Sequence, residues 1–130
     1  MYHPVGARER DVSTRLIKPT LPNMDINEIL NLVNNWNSVW EIDAGILIFD
    51  EGIAQFLLVD EQSHVKFFAA LILKKASLRC RLVNDEPKDM LEEAENIFRI
   101  VNNEELTPTD SKKIDFLKNI LTKRGYRFAE

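Results

Sequence analysis

Gly45-Ile-Leu-Ile-Phe-Asp-Glu-Gly-Ile-Ala-Gln-Phe-Leu-Leu-Val59 runs through Asp60-Glu-Gln-Ser-His64 into Val65-Lys-Phe-Phe-Ala-Ala-Leu-Ile-Leu-Lys-Lys-Ala76 and Ser77-Leu-Arg-Cys-Arg-Leu-Val83. Whether this apolar centre is all sheet decides the fold. Asp50-Glu51-Gly52 supplies a tight turn, because glycine tolerates positive φ. Asp60 to His64 reads as a second, looser turn. Residues 46–49, 56–59 and 67–73 are apolar at odd and even positions alike, which predicts three strands covered on both faces. Ser77–Val83 alternates: Leu78, Cys80 and Leu82 face one way, and Ser77, Arg79 and Arg81 the other. That pattern predicts an edge strand, with charge guarding it against unwanted pairing. In Val65–Ala76 the Ala-Ala-Leu-Ile-Leu-Lys-Lys-Ala tract also suits a helix, since periodicity does not separate the two over so short a run. A helix there shrinks the expected sheet to a hairpin plus a separate strand.

The flanking segments read as helices. Asp25 and Glu28 form a capping-box-like start for a helix carrying Ile26, Ile29, Leu30, Val33, Trp36 and Trp40 at helical spacing. Asp85-Glu-Pro87 opens a second helix with an apolar face of Met90, Leu91, Ala94, Ile97, Phe98 and Val101. Thr107-Pro108 opens a third, carrying Ile114, Leu117, Ile120 and Leu121 and ending at Gly125. Residues 1–23, punctuated by Pro4, Gly6, Pro19 and Pro22, read as an extended or flexible N-terminal arm. The expected architecture is α+β: this arm, then a single domain over 24–130 with an N-terminal helix, a small antiparallel β-meander of three or four strands, and two C-terminal helices. A sheet apolar on both faces needs a second covering layer, most economically a two-fold homodimer.

Charge is segregated along the chain. Residues 23–63 hold eight acids and no base, and residues 64–83 hold five bases and no acid, within a net charge of −4. Such blocks attract each other within a fold, or attract a charged partner. The arm contributes Arg8, Arg10, Arg15 and Lys18, and the central stretch Lys75, Arg79 and Arg81. These seven are the expected partner-binding residues.

Catalytic equipment is sparse. The two histidines lie in the arm (His3) and in a turn (His64), and the single Cys80 sits among inward-facing apolar residues, where a thiol is inert. No His or Cys pair stands at metal-ligand spacing, and none of the four glycines belongs to a phosphate-binding loop. No cofactor is expected. The reading is a small non-enzymatic protein-binding module of regulator, chaperone or inhibitor type. Two alternatives stand beside it. One is a nucleic-acid binder using a basic strand face of Lys75, Arg79 and Arg81, with Lys66, Lys74 and Phe68 nearby. The other is a metal-dependent hydrolase in which Asp43 and Asp60, with Glu41 and Glu61, gather a hard cation at the hairpin ends. One cysteine, no apolar leader at the N-terminus, and no apolar run approaching the roughly 20 residues of a membrane helix lead to an expected cytoplasmic location away from the membrane.

Overall fold

The structure, a computed structural model, describes residues 9–36, 45–52, 55–84, 97–102 and 104–129. In it the segment after Asp60 is helical. The N-cap Asp60 accepts the Ser63 backbone N–H at 2.8 Å, and the Ser63 hydroxyl accepts that of Leu47 at 2.8 Å. The residues read as a loose turn therefore start helix α2 (Glu61–Ile72) and pin it to the neighbouring strand. Ser63, His64, Val65 and all of Phe67 to Ile72 are buried. A helix enclosed almost all round shows no polar stripe, and this is why its sequence resembles a doubly covered strand. Its end is a Schellman turn: Lys75 N–H bonds to Ala70 C=O at 3.0 Å and Lys74 N–H to Leu71 C=O at 3.1 Å.

The expected antiparallel meander is thereby overturned. The protein is α+β, and its described residues form three helices and eight strands in a mixed five-stranded sheet and a parallel three-stranded one. The strands are β1 (Glu9–Ser13), β2 (Ile17–Lys18), β3 (Asn23–Asp25), β4 (Ile46–Asp50), β5 (Phe56–Leu58), β6 (Ser77–Val83), β7 (Ile97–Val101) and β8 (Arg127–Ala129). The other helices are α1 (Ile26–Asn34) and α3 (Pro108–Lys123). The first sheet has the order β1-β6-β4-β5-β2. Only the β4–β5 hairpin matches the expected meander; β6 runs parallel to β4. Nor is β6 an edge, for β1 covers its other side with Glu9 opposite Arg81 and Asp11 opposite Arg79.

The N-terminal segment, expected as an arm, closes this sheet. β1 and β2 are its two outer strands, and a single 3-10 turn (Thr14–Leu16) joins them. The four peptide steps from Ser13 to Ile17 reach at most about 14 Å, whereas the edges of a flat five-stranded sheet stand about 19 Å apart. The sheet must therefore curl until one bent segment pairs with β6 by its first half and with β5 by its second. Val12, Thr14, Ile17 and Thr20 are buried as a result. So are Phe56, Leu57 and Leu58, within one chain, which removes the motive for a second subunit as covering layer.

The second sheet, β3-β7-β8, is parallel throughout. Ile97–Val101, expected as the end of a helix, is its central strand; residues 85–96 of that expected helix, like Trp40, lie outside the described residues. Helices α1 and α3 start at the expected caps, Asp25 and Thr107. The α3 helix buries Ile114, Leu117 and Leu121 and ends at Gly125, with φ of +97°. Phe98 of β7 joins the layers: its ring meets Phe68 of α2 edge-on at 5.5 Å, Tyr126 at 5.1 Å and Phe128 at 5.8 Å.

Candidate functional site

The 3-10 crossing between β1 and β2, the Schellman turn after α2 and the last turn of α3 converge on a cleft of about 800 Å³. Backbone closure brings the first two together. Thr14 N–H bonds to Ala76 C=O at 2.9 Å, and the Thr14 hydroxyl donates to the same carbonyl at 3.3 Å. The third wall is tied in by Arg124, whose Nη1 donates to Thr14 C=O at 2.9 Å.

Six cations line this cleft: Arg15, Lys18, Lys74, Lys75, Lys123 and Arg124, and no Asp or Glu appears in its lining among the described residues. Two helices end here, so part of that charge answers helix dipoles. Each C-terminus carries about half a negative charge, which accounts for roughly one of the six. The remaining positive charge faces a lining without Asp or Glu among the described residues. Burial, followed by the neighbouring charge of Arg15, holds the Arg124 pKa below its ordinary value. Burial raises the Tyr126 hydroxyl, with Arg124 acting the other way.

Lys74 stands in a sterically costly backbone conformation. Its φ of +61° makes it the one non-glycine residue with positive φ among those described. This is the C′ position of a Schellman turn, where glycine is the residue without steric cost. Strained positions of this kind concentrate at functional sites. The lysine side chain sits over the Phe116 ring, Nζ 5.3 Å from its centroid.

His64 is structural. Its Nε2 accepts the backbone N–H of Thr20 at 2.8 Å and that of Leu21 at 3.0 Å. The ring proton therefore lies on Nδ1, which donates to Asp60 C=O at 2.6 Å. Burial lowers the His64 pKa to about 4, against the opposing pull of Asp60, so the ring is neutral at physiological pH. Both nitrogens are committed to backbone groups. Burial, with Asp11 adding to it, pushes the Cys80 thiol up to about 12. The two do not form a nucleophile and base.

Of the seven residues expected to bind a partner, the fold brings Arg15, Lys18 and Lys75 into the cleft. Arg10 lies over the Phe56 ring at 5.6 Å. Arg81 pairs with Glu9 at 3.0 Å, and Arg79 with Asp11 at 3.5 Å and Glu9 at 3.7 Å. The basic strand face thus meets acids from β1. Arg8 lies outside the described residues, as do Glu41 and Asp43. Asp60 caps α2, and no group of three or more His, Cys, Asp or Glu among the described residues is placed to hold a metal ion. Lys123 and Arg124 were legible in the sequence only as helix-end cations; the surplus of charge they share with Lys74 depends on tertiary placement.

No helix among the described residues is long and apolar enough to cross a membrane. The chain matches no protein-family model. No curated protein matches it significantly either.

Proposed function

We propose that this protein is a non-enzymatic binding module that acts by holding an acidic segment of a partner protein in the basic cleft. The single observation behind this reading is six cations around about 800 Å³ with no acid in the lining among the described residues. The strained backbone of Lys74 supports it, because a glycine there would cost less unless the side chain has work to do. A short guest is favoured over a nucleic acid by the rest of the chain. The seventeen Lys and Arg less these six leave eleven, against twenty-one acids. A long polyanion crossing that surface meets net repulsion, whereas a short acidic segment needs only the cleft. A partner of this kind gives the module a regulator, chaperone or inhibitor role.

The test is calorimetric titration with a short peptide rich in Asp and Glu, beside an oligodeoxythymidylate of equal length. The expected result is peptide binding that weakens with salt and is lost in Lys74→Glu/Lys123→Glu. Tighter binding of the oligonucleotide transfers the cleft to nucleic acid, and no binding of either ends the proposal. Light scattering at micromolar concentration shows whether the partner is a second copy; a mass of 15.1 kDa excludes that form.

A further inference from the structure

We infer that the cleft takes a phosphorylated segment, with the phosphate monoester seated between the guanidinium groups of Arg15 and Arg124. This rests on the reading of the cleft as a protein-binding site and names the group it selects.

The two arginines are brought together by the backbone. Arg124 donates to the carbonyl of Thr14, the residue directly before Arg15, and both arginines line the cleft. That bond fixes the Arg124 head and uses one of its five N–H donors. The remaining donors have no partner among the described residues, and the Arg15 side chain makes no ion pair there. Two like charges thus share one end of the cleft without an ion pair among the described residues, so this end selects for a guest with more than one negative charge.

Stoichiometry separates phosphate from carboxylate. A carboxylate offers two oxygens and one charge, and a single bidentate guanidinium neutralises that charge. Seating it between Arg15 and Arg124 leaves one positive charge without a counter-charge. A phosphate monoester brings three terminal oxygens and a charge of about −1.5 to −2 at neutral pH, enough for both forks. The ammonium groups of Lys18 and Lys123, in the same lining, act as point charges that suit the acidic residues around it. Sequence hides this arrangement, because Arg15 and Arg124 are 109 positions apart by number and only the crossing of β1 into β2 delivers Arg15 to the end of α3.

The experiment uses the full chain and three fluorescein-labelled acidic peptides, identical except for phosphoserine, serine or glutamate at the centre. Anisotropy is expected to show the phosphopeptide binding about tenfold more tightly than the serine peptide, and more tightly than the glutamate peptide. In Arg15→Lys the phosphopeptide advantage should shrink to about threefold or less. Arg124→Lys should do the same, with circular dichroism reporting whether it folds. Equal binding of all three peptides overturns the phosphate assignment and leaves the acidic-segment reading standing. Equal losses for all three in Arg15→Lys overturn it too. Failure of every peptide to bind overturns both readings.

Discussion

The imidazole Nε2 of His64 accepts the backbone N–H of Thr20 at 2.8 Å, across 44 residues of sequence. That bond, with those from Leu21 N–H to the same nitrogen and from the Thr20 hydroxyl to Leu58 C=O at 2.6 Å, anchors the segment between β2 and β3 to the start of α2 and to β5. Arg15 and Lys18, which precede this segment, line the cleft, so the staple and the cleft are neighbours along the backbone.

Protonation of His64 breaks the staple, because an Nε2–H would face two N–H donors. The folded pKa is about 4, against 6.5 for an ordinary histidine. Between these values the unfolded chain takes up a proton that the folded one refuses. The contribution is therefore complete above about pH 6.5 and is lost as pH falls towards 4, in total about 3 kcal/mol. Denaturant melts across this range should show wild type well above His64→Gln at pH 7 and the gap closing by pH 4.5. A gap that stays constant contradicts the assignment.

Phe68→Ala removes a ring that is 1% exposed and meets Phe98 edge-on at 5.5 Å. The expected loss is about 3 to 5 kcal/mol in urea unfolding. A loss below about 1 kcal/mol is incompatible with α2 as the buried centre.

Arg79→Ala and Arg81→Ala should each cost less than about 1 kcal/mol, because their side chains are 40% and 44% exposed and their pairs are screened by solvent. Neither should change binding of an acidic peptide in the cleft. Weakened binding in these variants would shift the interface to the β6 surface.

Lys74→Gly relieves a left-handed φ at no steric cost, and should raise stability by up to about 1 kcal/mol. It should also weaken peptide binding. Higher stability with unchanged binding means that the cleft does not use this side chain.

Cys80 is 1% exposed, with its pKa pushed to about 12. At pH 8 the native thiol should resist iodoacetamide and become reactive on unfolding in guanidinium. Rapid labelling of the native chain would place β6 at an exposed edge.

Local signals carried part of the fold. Asp25, Thr107-Pro108 and Gly125 mark helix ends through bonds within one turn, and Asp50-Glu-Gly52 marks the hairpin, with Gly52 N–H on the Asp50 carboxylate at 2.8 Å. Leu78 and Cys80 alternate with Arg79 and Arg81 because β6 is a strand, whatever lies beside it. The α2 helix was legible only as the alternative to a strand, for a physical reason: enclosed nearly all round, it lacks the polar stripe that separates a helix from a covered strand, and its clearest mark was the Asp60 and Ser63 cap. Ile97, Phe98 and Val101 fit a helical face as well as the strand they form.

What the sequence by itself determined is the supply: apolar segments, caps, and cations in blocks. Which cations are neutralised and which are left facing a cleft is tertiary, because it depends on the sheet curling far enough for residues 9–18 to pair with both β6 and β5. That curl sets Glu9 and Asp11 against Arg81 and Arg79, and in the next turn of chain delivers Arg15 to Arg124 and Lys74. Caps and turns are decided by bonds a few residues long; this pairing is decided by backbone groups 39 to 72 residues apart, which no local pattern encodes.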